Sequence, residues 1–286
     1  MIRSIQFEKI GTAPTLPDFS LIASGVAGDQ SLLFLFVEGS GRQARALNRC
    51  RLLRESAGSI QSIDFPPLDI GFPKVDLFPD GRVLLAGARC GLWAEVDDDL
   101  DGVIFDPSTG QANNVHMGHG ISNLQIDDHG RIWVAYFDEG VLVEPAGLVC
   151  FSALGEKIWE FPADADHMID DCYALNVAGS EAFIFFYSDF PLYRIDADFQ
   201  LSWWRTELKG CHAFAMSGTD ILFSSQYREA PETAHLGRLA TGEIVDVKQV
   251  RLLMPDGSAR PPGRLQGRGR HLYHFGEDGI YRASLD

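Results

Sequence analysis

ISNLQIDDHGRIWVAYF, residues 121–137, decides the fold: an alternating apolar run, a tight polar turn near Gly130, and a second apolar run. Alternation of period two with Gly, Asp and His between the runs is the signature of a β-hairpin. Five further stretches repeat this plan. They are LIASGVAGDQSLLFLFV from Leu21, VDLFPDGRVLLAGA from Val75, YALNVAGSEAFIFFYS from Tyr173, AFAMSGTDILFSSQ from Ala213 and RLQGRGRHLYHFG from Arg264. Their turns fall near Asp29, Gly81, Ser180, Thr219 and Gly269, so the six turns are spaced 52, 49, 50, 39 and 50 residues apart. A period of 40 to 50 residues is that of propeller blades.

Each of units three to five continues into two more strand-like runs. Unit three carries VLVEPAGLVCFSALG and KIWEFPA, unit four PLYRIDADF and QLSWWRTE, unit five HLGRLATG and EIVDVKQV. Four strands per unit make a four-stranded antiparallel blade, and no stretch of a dozen residues shows a 3.6-residue period. The sixth unit has room for only three strands. MIRSIQFEKI, residues 1–10, alternates as a strand outside any unit. It is expected to supply the missing outer strand and so remove two exposed edges. The expected fold is all-β: one six-bladed β-propeller domain over residues 1–286, closed by its N-terminal strand on the last blade. A two-layer β-sandwich is the structural rival.

The 286 residues carry 24 Lys and Arg against 40 Asp and Glu, a formal charge of −16. That excludes the usual electrostatic nucleic-acid binder, which needs dominant positive charge to displace counterions. The acidity is uneven. Residues 61–200 hold 6 basic and 25 acidic side chains, net −19, whereas the flanking segments are near neutral. Blades two to four therefore form the acidic sector, where charge can steer a basic partner. Two arginine clusters, Arg42, Arg45, Arg49, Arg51 and Arg54 and then Arg260, Arg264, Arg268 and Arg270, lie in the neutral half. The longest apolar run, residues 32–37, is far too short to span a bilayer, and the first residues contain no continuous apolar signal segment. Five dispersed cysteines without a CxxC pair read as reduced thiols. A monomer in the cytoplasm is expected, with no membrane or nucleic-acid partner.

DDHGRIWVAYFDEGV, residues 127–141, resembles the inner hairpin of the six-bladed propellers of the NHL and gluconolactonase-like superfamily. The stretches IWVAYFDEG, GLVCFSALGEKIWEF and CYALNV also resemble bacterial propeller-like proteins of unknown function. The resemblance implies a ligand site at the starts of the innermost strands, where the gluconolactonase-like proteins hold a metal with Glu, Asn and Asp. This chain offers Asn123 at one such start but Lys74, Cys172, Cys211 and Arg264 at others, so that ligand pattern is not reproduced.

Two local constellations remain. Asp97, Asp99 and Asp101 alternate ahead of Gly102, like the opening of a calcium-binding loop, although Ser108 stands where an EF-hand places its bidentate Glu. Calcium is the cofactor this implies, and an acidic hairpin loop is the alternative. Asp138-Glu139-Gly140 and Glu277-Asp278-Gly279 read as similar loops. The channel mouth is the second: Lys74, His119, Asp170, Asp171, Cys172, Cys211, His212 and Arg264. His119, Asp171, Cys172, Cys211 and His212 are the catalytic candidates, because Cys beside His and Asp suits a nucleophile or a metal. Lys74, Asp170 and Arg264 are the ligand-binding candidates. His116, three residues before His119, converges with it only in a loop. Cys172 and Cys211 also read simply as small buried core residues. Trp133, Trp159, Trp203 and Trp204 read as wedge fillers between blades, with one of Trp203 and Trp204 exposed. No GxSxG, P-loop or GxGxxG motif is present. The leading expectation is a binding module that uses one ring face to hold a basic protein or a small ligand. The rival is a hydrolase or lyase at the channel mouth.

Overall fold

The alternation read above becomes strands throughout. The computed structural model describes residues 3–39, 49–68, 70–89 and 101–285. The protein is a six-bladed β-propeller, each sheet running from an innermost to an outermost strand. Two short strands come first, β1 (Ser4–Gln6) and β2 (Glu8–Gly11). Blade one is β3 (Phe19–Val26), β4 (Leu32–Glu38), β5 (Cys50–Ser56) and β6 (Ser59–Phe65). Blade two is β7 (Pro73–Leu77), β8 (Val83–Gly87), β9 (Gly102–Asp106) and β10 (Gln111–Val115). Blade three is β11 (Ile121–Ile126), β12 (Ile132–Tyr136), β13 (Leu148–Phe151) and β14 (Lys157–Glu160). Blade four is β15 (Asp171–Ala178), β16 (Glu181–Tyr187), β17 (Leu192–Ile195) and β18 (Leu201–Trp204). Blade five is β19 (Phe214–Ser217), β20 (Asp220–Phe223), β21 (Thr233–Leu239) and β22 (Ile244–Leu253). Blade six has β23 (Arg264–Arg268), β24 (His271–Phe275) and β25 (Ile280–Ser284). All six expected turns lie between the first two strands of their blades.

The closing segment differs from the single strand expected. β2 pairs antiparallel with β25 and completes blade six, as the closure argument requires. β1, by contrast, pairs in parallel with β22, giving blade five a fifth strand. The chain changes sheets at Phe7, whose N–H donates to Leu253 O at 2.8 Å and whose ring is only 2% exposed. Phe7 packs in the cluster of Val250, Leu252, Leu272 and Tyr281. Burial of this one ring fixes both edges at once.

Asp138–Val141 departs from the expected hairpin loop. It forms a single helical turn, α1, and the following strand starts at Leu148 rather than Val141. Among the described residues no helix is long and apolar enough to cross a membrane.

The innermost strands carry buried polar side chains that bind neighbouring blades. Asp76 on β7 accepts from Ile126 N of blade three at 2.7 Å and from Leu77 N at 2.8 Å. Asn176 on β15 donates to Phe214 O at 2.8 Å and Gly269 O at 2.9 Å, and accepts from Gly269 N at 2.6 Å. One amide thus ties blade four to backbone groups of blades five and six. The innermost strands also bulge near their starts: β3 at Ile22, β11 at Ser122 and β15 at Tyr173. A bulge leaves one residue out of the ladder and re-aims its side chain. Those bulges decide what the strand starts present.

Candidate functional site

The bulge in β15 makes Tyr173 the residue that leaves the ladder. Its ring stacks on His212 at 4.8 Å, nearly parallel at 16°. Phe190, between β16 and β17, stands at 88° to Tyr173 with centroids 5.2 Å apart. Tyr227, between β20 and β21, stands at 86° to Tyr173 and 78° to Phe190. Tyr187, at the end of β16, meets Phe190 at 66°. The Tyr227 hydroxyl donates to the Tyr173 hydroxyl. Tyr187 and Tyr227 are 47% and 48% exposed, so the cluster opens to solvent.

Local chemistry holds these rings in place. Tyr227 N donates to Lys209 O at 3.2 Å, and Gln226 returns the tie by accepting from Lys209 N at 2.9 Å. Glu229 accepts from Gln226 N at 2.8 Å and pairs with His235 at 2.8 Å. The Tyr227 ring lies on the backbone of Gly210, where a Cβ would sit 2.5 Å from ring carbons. Only glycine leaves that space. Asp171 pairs with Tyr187 in the ladder. Burial first, then the Tyr173 hydrogen bond and the charge of Asp171, hold the Tyr227 phenol well above its ordinary pKa. Burial pulls His212 below the usual histidine value, which favours a neutral ring.

The candidates expected at the channel mouth thus part ways. Asp171 and His212 stand in or beside the aromatic cluster. Cys172 and Cys211 are buried, and burial pushes both thiols far above their ordinary pKa. A nucleophilic thiol needs the opposite shift. Both are expected to resist iodoacetamide in the folded protein at pH 8 and to react fully in urea, which mass spectrometry reads directly. Arg264, an exposed residue, lies over the Phe275 ring at 3.7 Å. Trp203 stacks on Tyr193, and Trp204 Nε1 donates to Ala240 O at 2.8 Å. Both indoles are half-buried and line a groove of about 720 Å³.

The other candidates lie in residues 14–170. Lys74 Nζ donates to Ser122 O at 2.7 Å, beside Asn123. The strand starts of blades two and three thus offer a lysine ammonium, held on Ser122 O, and the Asn123 amide, whose Nδ2 donates to Ser122 Oγ at 3.4 Å. That donor set does not fit a divalent metal. His119 is buried, with Nε2 3.9 Å from Glu139, which also pairs with Arg89 at 2.9 Å. Its neighbour Gly120 has φ +76 and lies so close to Gly140 that a Cβ would come within 2.4 Å. Asp170 is half-buried. Asp97 and Asp99 lie outside the described residues, as do Arg42 and Arg45. Asp101 is buried and accepts from Met117 N at 2.5 Å and Gly118 N at 2.8 Å, with His116 Nδ1 at 3.1 Å. Its carboxylate holds the 116–118 loop. Arg51 and Arg54 pair with Asp64 and Asp29 within blade one. Among the described residues, no group of three His, Cys, Asp or Glu side chains is arranged to hold a metal ion.

Fold and site together define a six-bladed propeller with an aromatic and acidic cluster at the strand starts of blades four and five. The chain matches the YxzG family over residues 141–283, half its length, and belongs to that family. No curated protein matches its sequence. Among solved structures it is similar to a catalytically inactive virginiamycin B lyase from Staphylococcus aureus with quinupristin. The identity is 12%, the TM-score 0.53, and the match covers 98% of this chain and 100% of that one. It is similar also to a gluconolactonase from Xanthomonas campestris, at 12% identity and TM-score 0.50, covering 100% and 98%. A third is YCF48 bound to D1 peptide, at 11% identity and TM-score 0.50, covering 100% of both chains. At such identities the likeness is one of fold.

Proposed function

We propose that the protein is a binding propeller that holds a basic segment of a protein partner at the aromatic cluster of blades four and five. The observation that carries this reading is the open cluster of Tyr173, Tyr187 and Tyr227 with Asp171 in their neighbourhood. Tyrosine faces attract Lys and Arg side chains, and a nearby carboxylate adds charge complementarity. The formal charge of −16 over the whole chain favours encounter with a basic segment at longer range. A propeller of the same fold with a bound peptide is a further support. The buried, unbridged Cys50, Cys150, Cys172 and Cys211 fit a reducing compartment such as the cytoplasm.

Fluorescence anisotropy with a labelled hexalysine peptide tests the reading. Binding is expected to weaken about tenfold in Tyr227→Ala and again in Asp171→Asn, near 1.4 kcal/mol each, and to fall with added salt. Equal affinity of both variants and the parent protein would remove the site from the proposal.

A further inference from the structure

A groove opens between blades four and five, at the opposite ends of their strands from the aromatic cluster. Its volume is about 720 Å³, within the range of small-molecule sites. The register of blade four builds one wall. Phe183 pairs with Arg194 and Arg194 with Ser202, so the three side chains stand in one row on one face of the sheet. Glu181 and Trp204 lie two residues along their strands from Phe183 and Ser202 and share that face. Phe183 is buried at the floor, and Glu181 binds the Arg194 guanidinium. Two turns of blade five make the other wall, joined by Leu239 N donating to Thr219 O at 2.8 Å. Gly218 and Gly242 hold φ +58 and +72 in these turns, and a Cβ at either would meet nothing within 4 Å. This wall is therefore low backbone, with Thr219 and Thr241 exposed beside it.

The lining selects a ligand chemistry. Trp204 is fixed across the gap, because its Nε1–H donates to Ala240 O at 2.8 Å. An indole has that one donor, so Trp204 offers the groove an apolar surface and no hydrogen bond. The charged side chains of the lining are Glu181 and Arg194, bound to each other and 32% and 37% exposed. An anion would compete with Glu181 for Arg194, and a cation with Arg194 for Glu181. Two neighbouring neutral hydroxyls do neither. One accepts from the guanidinium, the other donates to the carboxylate, and the ion pair stays intact. Ser202, Thr219 and Thr241 add hydroxyls that both donate and accept. The positively polarised C–H groups of a sugar ring suit the negative face of an indole.

We propose that this groove is a second ligand site, for a neutral oligosaccharide whose vicinal hydroxyls bridge Glu181 and Arg194 and whose ring lies against Trp204. It is independent of the basic-segment reading, which concerns the other end of these blades.

Chemical-shift titration of the full chain, observed on the Trp204 indole N–H and the Gly218 and Gly242 amides, tests it. The probes are maltotriose, cellotriose and triacetylchitotriose, with hexaproline and citrate as the peptide and anion alternatives. At about 10 mM, where a millimolar site is mostly filled, at least one trisaccharide is expected to move all three reporters along one saturable curve. Glu181→Ala is expected to weaken that binding about tenfold. Trp204→Ala, read on the glycine amides, is expected to weaken it at least as much. Both variants are compared with the parent in melting temperature, and if Trp204→Ala melts lower, Glu181→Ala, at a half-buried side chain, decides alone. Reporters that no trisaccharide moves overturn the proposal. Equal affinity of the parent and Glu181→Ala overturns the site. Hexaproline or citrate binding there more tightly than every trisaccharide overturns the ligand class. Hexalysine binding at the aromatic cluster is expected to be the same in Glu181→Ala as in the parent, which keeps failure of this proposal distinct from failure of the basic-segment reading.

Discussion

Phe7→Ala is expected to destabilise the protein by about 4 kcal/mol, a fall in Tm on the order of 10 °C for a chain of this size. Phe7 fills the junction between blades five and six and is almost fully buried. Its removal leaves a cavity under the two strands that close those blades. The strands themselves depend on it. Outside the ladder, β1 is anchored by Gln6 Nε2 on Pro255 O at 2.9 Å, and β2 by Arg282 Nε on Glu8 at 2.8 Å and Lys9 Nζ on Asp278 O at 2.8 Å. These contacts are exposed and contribute little each, so the aromatic ring carries most of the closure. Removal of residues 1–12 is expected to cost more than Phe7→Ala, since it also opens the edges of β22 and β25. A synthetic peptide of residues 3–12 is expected to restore part of the lost Tm by adding the strands back. Phe72→Ala, at an exposed side chain, is the control and is expected to lie within about 0.5 kcal/mol of the parent. A truncated chain that melts at the parent temperature would show that closure does not stabilise the ring.

The repeat was legible because hairpin alternation is a local signal, and six copies of it reinforce one another. The same logic explains what alternation missed. It marked residues 1–10 as a strand, but it cannot tell which of two neighbouring edges a strand will join, and Phe7 divides the segment between them. At the channel mouth the reading named residues on either side of the aromatic cluster and passed over the aromatic residues themselves. Asp171, Cys172, Cys211 and His212 flank the cluster, yet the β15 bulge sends Tyr173 out of the ladder and leaves Cys172 buried. A single extra residue in a strand reverses every inside–outside assignment around it, and no composition rule announces it. Tyr227 left one trace, an aromatic residue in the polar loop SSQYREAP. The buried Asp76, Gln125 and Asn176 were within reach. Each stands four or five residues before its turn, in one column with Ser24 once the units are aligned. A polar residue repeated at the same place on an otherwise apolar strand asks for a buried partner.

The second large effect is on acid stability, and it arises at the same closure. His274 on β24 is fully buried, between Phe7 at 5.9 Å and Tyr281 at 6.0 Å. Arg260 Nη1 approaches His274 Nδ1 at 3.3 Å and makes it an acceptor. Among the described residues no hydrogen-bond partner reaches its Nε2. Burial first, and then the positive charge of Arg260, pull the imidazole pKa down to about 4, against a smaller opposing effect of Asp278. The unfolded chain takes up this proton near pH 6.5, the folded one only near pH 4. Between those values the unfolded state binds more protons, so stability rises with pH. The contribution is complete above pH 6.5 and is lost as pH falls through 4, about 3 kcal/mol in all. Urea titrations at pH 7.5 and pH 4 are expected to show a larger acid loss in the parent protein than in His274→Gln, by about that amount. His274→Gln forfeits some stability at pH 7.5, where Arg260 loses its acceptor, and this is why the comparison is of slopes and not of absolute values. Carboxylates such as Glu229 and Asp29, whose pKa values are lowered in the folded protein, are common to both chains and cancel in that difference. Equal slopes would mean that the closure opens enough to let water protonate His274 before the ring unfolds.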